Sequence, residues 1–164
     1  MTGMHVVVRP IDLSDDDVAA RVVEIQRAAY RIEADLIGFD GIPPLHDTVV
    51  DVRSVDLQWL GSWEHGELAG IIAWTLVNGV CDIDRLAVHP TFMRRGHGRA
   101  LIGPLLRHEV VTVSTGSANA PARRLYESLG FVPHDVREIA AGVTVVSLRR
   151  ELITTVGIAS DAGR

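Results

Sequence analysis

The spacing of apolar residues changes rhythm several times along this chain of 164 residues, and each change predicts an element. Val6 to Arg9 is a short extended run closed by Pro10, and Asp12 to Asp17 supplies capping carboxylates. From there Val18, Val22, Ile25, Ala29 and Ile32 recur at spacings of three and four, which predicts a helix from about Val18 to Leu36 with one apolar face. Gly38 to Pro44 (GFDGIPP) breaks the rhythm, since glycine and proline do not continue a helix, and Val49 to Leu57 is an ambiguous second, shorter helix. Strand patterns follow. Trp59 to Glu64, Leu68 to Val77 and Val80 to Val88 are separated by His65-Gly66-Glu67 and by Asn78-Gly79, turn sequences that predict an antiparallel meander. Arg99 to Val110 returns to helical spacing through Leu101, Ile102, Leu105 and Leu106. Val110 to Ser114 is a β-branched strand, Pro121 to Leu129 a helix ended by Gly130, and Phe131 to Glu138 pairs with Val143 to Arg149 over Ala141-Gly142. Such an order predicts an α+β, or mixed α/β, sheet with helices on its faces. A single domain is expected over residues 1–164, with its core at about 5–150 and a flexible tail at 153–164.

Composition narrows the function classes. The lone Cys81 allows no intramolecular disulfide and lies in an apolar run that suits a buried thiol. No basic segment followed by an apolar one opens the chain, and its apolar runs are too short or too broken by charge to cross a bilayer. The expectation is a soluble, cytoplasmic protein with no membrane partner. A net charge of -5 and few aromatic residues argue against nucleic acid and mildly for a cationic or amine-bearing substrate. No histidine, cysteine and carboxylate cluster has metal-ligand spacing; His5, His65, His89, His97, His108 and His134 read as turn or surface positions. No serine sits on a strand-to-helix elbow of the hydrolase kind.

Positive charge concentrates in one place. Arg94 to Ala100 (RRGHGRA) holds two glycines two apart where a strand gives way to a helix, and glycine there lets backbone amides converge on an anion at the helix start. The loop lacks the lysine and hydroxyl ending of a nucleotide-binding P-loop. Arg94, Arg95 and Arg99 add attraction for acidic groups.

Two segments carry a family resemblance. Leu86-Ala87-Val88-His89-Pro90 followed by Met93-Arg94-Arg95-Gly96-His97-Gly98-Arg99-Ala100-Leu101 resembles the acetyl-coenzyme A loop of the GCN5-related N-acetyltransferase (GNAT) superfamily, and Asn119 to Phe131 (NAPARRLYESLGF) resembles its later signature. Met93 departs from the pattern, standing where glutamine or arginine is usual. The resemblance implies an acyl-CoA N-acyltransferase fold: a mixed, mostly antiparallel twisted sheet of six or seven strands, splayed between the strand ending at Val88 and the one at Val110 to Ser114, with about four helices. It implies acetyl-CoA as cofactor, its pyrophosphate on the amides of Arg95, Gly96, His97, Gly98 and Arg99 and its pantetheine arm along Leu86, Ala87 and Val88. Met93, Arg94, Ala100, Asn119, Ala122 and Tyr126 complete the expected contacts.

The implied activity is direct acetyl transfer to a primary amine. Tyr126 is the expected acid for the departing thiolate. Asp82 and Asp84, two apart on one strand and so on one face, are candidates to steer the amine and accept its proton, or else are solvated strand residues balanced by Arg85. Tyr30, Glu33, Pro43 and His46 are expected around the acceptor, with Ile42 to Leu45 as a rigid apolar wall. Trp59, Trp63 and Trp74 fit packing better than a cage. A small-molecule or peptide amine, including a polyamine, an amino acid, an aminoglycoside-like cation or a protein amino-terminus or lysine, fits as acceptor. An acyl-CoA sensing module without transfer activity and a plain interaction domain are the alternatives, and the last hairpin offers a surface for a homodimer.

Overall fold

A computed structural model of the protein describes residues 5–153, so the tail expected to be flexible lies, from residue 154 on, outside the described residues. Its elements run β1 (Val6–Pro10), α1 (Asp16–Ile37), α2 (Pro43–His46), α3 (Val49–Ser54), β2 (Gln58–Glu64), β3 (Glu67–Val77) and β4 (Val80–Val88). A 3-10 turn (Pro90–Phe92), α4 (His97–Ile102), a second 3-10 turn (Gly103–Arg107), β5 (Val110–Gly116), α5 (Ala120–Ser128), β6 (Val132–Ala140) and β7 (Val143–Glu151) follow. The strands form one seven-stranded sheet in the order β1-β2-β3-β4-β5-β7-β6. All neighbours are antiparallel except β4 and β5. This is the mixed, mostly antiparallel sheet that the motifs imply.

Local chemistry fixes the boundaries. The Asp15 carboxylate accepts from the amides of Asp17 (2.9 Å) and Val18 (3.2 Å) to start α1, and Gly38, at φ 67°, turns left-handed to end it. The hairpin turns His65-Gly66 and Asn78-Gly79 have positive φ at both positions, the backbone twist that two-residue hairpins need.

Two elements differ from the sequence reading. Helical structure resumes at Pro43, inside the segment read as irregular, because proline suits the first turn of a helix, where its missing N–H is not needed. The helix expected from Arg99 to Val110 is α4 alone followed by a 3-10 turn, because Gly103-Pro104 interrupts the α-helical bonding.

Helices cover both sheet faces. On one, Leu101, Ile102 and Leu105 from α4 and the turn after it pack with Tyr126, Ile83, Val111 and Leu148. On the other, Val22, Ile25 and Tyr30 of α1 pack with Ile71, Ala73 and Ala87. Ile32, expected on the buried face of α1, is 38% exposed and lines a cavity described below. Cys81 is buried, and burial first, then the charge of Asp82, pushes its thiol up to about 11, which leaves it protonated and unreactive. Among the described residues no helix is long and apolar enough to cross a membrane.

Candidate active site

The parallel pair β4 and β5 is bonded only from Val80↔Val110 to Ile83↔Val113; beyond that the strands part. At the parting point β4 carries an irregularity against β3, with Ala73 paired to Arg85 and Trp74 to Ile83, so that Asp84 is the extra residue of a bulge. A bulge inverts the alternation of side chains. Cys81 and Ile83 before it, and Leu86 after it, belong to the core beneath α4 and α5, whereas Ala87 belongs to the core beneath α1 and Arg85 reaches Gln26 of α1.

Asp82 and Asp84 flank Ile83, so ordinary alternation puts both on the face opposite it, as expected, and the reversal falls between Asp84 and Arg85; the two aspartates differ in reach. Asp82 lies before the bulge, accepts a hydrogen bond from Thr112 Oγ1 (2.6 Å) and lines neither cavity at the splay. Asp84 does line one, and its Oδ2 accepts from Arg85 Nε at 2.7 Å.

Two cavities open into the gap. One, of about 550 Å³, runs from Leu86, Ala87 and Val88 to the glycine loop, where Met93, Arg94, Gly96, His97, Gly98 and Arg99 line it. The other, of about 340 Å³, lies between α1, the segment Phe39–Pro44, the bulge of β4 and the β6–β7 hairpin. Tyr30, Glu33, Leu86, Asn119, Ala122 and Leu125 border both. Tyr126 lines the second cavity, as do Tyr30, Glu33 and Pro43.

The first cavity ends at an uncapped helix. Gly96 is the N-cap of α4 at φ 88°, with no side-chain cap, and the bond from Ala100 N–H to the Gly96 carbonyl (3.0 Å) opens the helix. The amides of His97, Gly98 and Arg99 therefore have no partner within the helix. A Cβ built on Gly96 meets nothing within 4 Å, so the loop is open where an anion would sit. A Cβ on Gly98 would stand 2.9 Å from Leu125 Cδ2, so that glycine lets α4 approach α5.

Side chains of the loop divide their work. Arg94, at φ 63°, has no hydrogen-bond or ionic partner among the described residues and lines the cavity. The Arg99 guanidinium docks on Ser128 Oγ at 2.7 Å. Arg95 and Ala100 do not line the cavity, and the Arg95 guanidinium turns to Glu64 on β2. His97, expected at a turn or surface, is 1% exposed: its Nδ1 lies 2.9 Å from Ser62 Oγ and its Nε2 3.3 Å from Glu64 Oε1. The loop is thus pinned from below to the meander. Burial alone would raise Glu64, but hydrogen bonds from Arg95 and His97 outweigh it and hold the carboxyl below its ordinary range.

At the junction Tyr30, buried, receives the Leu86 N–H at 3.2 Å and faces the Leu86 carbonyl at 3.4 Å through the same hydroxyl. The main-chain groups of Leu86 therefore point into the gap, and those of Val88, two residues on, point the same way. Asn119 caps α5 through Oδ1, which accepts from the Ala122 amide (3.3 Å), and leaves its side-chain nitrogen without a partner among the described residues. Glu33 Oε1 accepts from Thr115 Oγ1 (3.0 Å) and the Gly116 amide (3.4 Å). Tyr126 packs edge-on to Phe131 with ring centroids 5.5 Å apart; burial first and the Glu33 charge second push its phenol up, so it stays protonated at neutral pH. Burial and Glu33 act on Tyr30 in the same direction.

On the acceptor side the charge balance of Arg85 with Asp84 is present as expected, whereas its further partners, Gln26 and Asp47, are residues that the sequence reading missed. Arg85, 6% exposed, donates from Nη1 to Asp47 Oδ2 (2.7 Å) and Gln26 Oε1 (3.2 Å), lies over the Trp59 ring at 5.5 Å, and closes its coordination with Asp84. Burial opposes its charge, yet the carboxylates prevail and its pKa is raised. Gln26 and Asp47 stand far from Arg85 in the chain; the one local signal was an arginine within an apolar strand. His46 is exposed, its Nε2 2.6 Å from the Asp40 carbonyl, and it lines neither cavity.

The comparisons agree with this architecture. Residues 20–131 match the model of the Acetyltransferase (GNAT) family. A curated relative, UPF0157 protein YqkA of Bacillus subtilis (strain 168), is 35% identical over 130 residues, covering 77% of this chain; the chain spans only 38% of that protein's length. The fold is similar to the ribosomal-protein-S18-alanine N-acetyltransferase of Escherichia coli, with TM-score 0.71 and 19% identity over 90% of this chain and 94% of that one. It is also similar to the PaiA N-acetyltransferase of Thermoplasma acidophilum solved with coenzyme A, with TM-score 0.67 and 15% identity over 91% and 100% of the two chains. With a seven-stranded sheet splayed between β4 and β5, a glycine loop at the start of α4 and a family match across more than half its length, the chain belongs to the acetyltransferase (GNAT) family.

Proposed function

We propose that the protein transfers the acetyl group of acetyl-CoA directly to a primary amine. One observation carries this reading: two cavities of different character, one ending at bare helix amides and one with mainly apolar walls around the carboxylates of Glu33 and Asp84, meet at the parting of β4 and β5. A direct transfer needs such a meeting of two substrates.

The larger cavity fits acetyl-CoA. The amides of His97, Gly98 and Arg99 would hold the pyrophosphate, Arg94 would add attraction, and the Val88 and Leu86 main chain with the Asn119 amide nitrogen would bond the pantetheine arm. When bound there, acetyl-CoA supplies an activated acetyl thioester. Tyr126 then offers its hydroxyl hydrogen to the sulfur as charge develops on it. Because burial raises the phenol above the ordinary range, complete proton transfer to a thiolate runs uphill. The hydroxyl stabilises that charge chiefly as a hydrogen-bond donor, with the proton passed on as thiol leaves.

Thiol release from acetyl-CoA, followed with a panel of primary amines, tests the reading. Amine-dependent release is expected. Tight coenzyme binding with no release for any amine would favour a sensing module instead.

A further inference from the structure

Resting on that reading, we infer that Glu33 receives the acceptor's ammonium group and that the cavity beyond it takes a compact apolar body, making the acceptor class a small primary monoamine without a carboxylate. Glu33 is half-buried at the junction of the two cavities. Both of its hydrogen bonds fall on Oε1 and come from neutral donors, Thr115 and Gly116, so Oε2 accepts nothing from any described residue. It forms no ion pair among the described residues. A half-buried carboxylate with one free oxygen and no cation is a seat for a cation.

Charge excludes acceptors that bring their own carboxylate. The guanidinium lining this cavity, Arg85, is already engaged by Asp47, Asp84 and Gln26, so no cation is left there for an amino acid's carboxylate, which would instead face Glu33 and Asp84. Beyond the junction the walls are mainly apolar, built from Ile37, Phe39, Ile42, Pro43, Ile139 and Val145, with Asp84, Arg85 and Ser114 as polar exceptions. A volume of about 340 Å³ lies at the low end for small-molecule sites, which suits a short aliphatic or single-ring body. A second ammonium on the acceptor would lie among those apolar walls or beside Asp84, whose Oδ2 is already taken by Arg85.

The proton balance assigns Glu33 a chemical task as well. Glu33 takes one proton from the ammonium, freeing the nitrogen lone pair. As nitrogen bonds to the acetyl carbon the carbon–sulfur bond breaks; the second nitrogen proton leaves as the amide forms, and the thiolate gains one with help from Tyr126. The sum is ammonium plus acetyl thioester giving amide, free thiol and one proton to solvent.

Matched probes test this: pentylamine, norleucine (the same skeleton with a carboxylate beside the amine) and 1,5-diaminopentane (the same skeleton with a second amine). Thiol release with the intact protein is expected to give kcat/KM for pentylamine above that for norleucine by about 100-fold or more, and above that for 1,5-diaminopentane. Glu33→Gln, close in shape, should raise the pentylamine KM by about 10-fold or more while the acetyl-CoA KM stays within about twofold. Calorimetry of pentylammonium binding to the protein loaded with coenzyme A gives a readout apart from turnover, and that binding should be lost in the variant. Should Glu33→Gln fold poorly, the wild-type ratios decide. Norleucine or 1,5-diaminopentane transferred as efficiently as pentylamine, or unchanged pentylammonium binding in a folded variant, overturns the inference and leaves the transferase reading standing. No turnover with any amine removes both.

Discussion

The two cavities at the splay are built by opposite means. The coenzyme-side cavity is shaped mostly by one continuous stretch, Leu86 to Arg99, and its chemistry is main-chain chemistry: glycine conformations and uncapped amides at the start of α4. The acceptor-side cavity draws on α1, the Phe39–Pro44 segment, the bulge of β4, and β5 to β7, and its chemistry is that of side chains from distant positions. The first is a local motif, the second a product of the whole fold. Substitutions should therefore separate them, with binding lost on one side and turnover or specificity on the other.

The largest effect is expected from Gly98→Val. Its Cβ would stand 2.9 Å from Leu125 Cδ2 and its branch would crowd the α4–α5 contact that floors the coenzyme cavity. Overpacking of this kind costs about 1–3 kcal/mol, so acetyl-CoA should bind about 10- to 100-fold more weakly by calorimetry, with the circular dichroism spectrum retained. Unchanged affinity would detach the glycine loop from coenzyme binding.

Tyr126→Phe is the complementary break. Turnover should fall by about 10- to 100-fold while the Kd for acetyl-CoA stays within about twofold. A variant as fast as wild type would leave Tyr126 as a packing partner of Phe131 and nothing more.

How much of this was legible beforehand follows the same division. The meander was readable because His65-Gly66 and Asn78-Gly79 can only make tight turns, and the coenzyme loop because its residues are contiguous. The bulge at Asp84 was not, since a strand irregularity depends on its partner strand, and without it Arg85 could not be placed facing α1. Nor could the chain reveal that His97 turns inward onto Ser62 and Glu64, because those contacts span more than thirty positions and the local signal, a histidine between two glycines, reads as a loop. The pairing of Arg85 with Asp84 was legible, but its reach to Gln26 and Asp47 was hidden for a similar reason, since they arrive from α1 and the segment after α2.

A smaller effect sharpens the anchoring of the coenzyme loop. Because hydrogen bonds hold the folded Glu64 carboxyl below its ordinary value of 4.5, its contribution to stability is complete above that value and is lost as pH falls through the lower folded one. Thermal melts from about pH 7 down to about pH 3 should show Glu64→Gln less stable than wild type near neutrality, with the gap closing in acid. A gap independent of pH would mean that the ionised carboxylate does not anchor the loop.

The smallest change is expected at the seam itself. Tyr30→Phe removes the hydroxyl that satisfies the Leu86 main chain, at a cost of about 1 kcal/mol, or roughly 2–4 °C in Tm. Bound acetyl-CoA can take over those main-chain groups, so the coenzyme should restore more stability to this variant than to wild type. Equal stabilisation of both would place the pantetheine arm elsewhere.

The most direct test of the meeting of two cavities is the initial-rate pattern of thiol release as acetyl-CoA and a primary amine such as pentylamine are varied together. If both occupy the splay at once, double-reciprocal lines at different amine concentrations intersect. Parallel lines, the mark of an acetylated protein intermediate, would contradict the account.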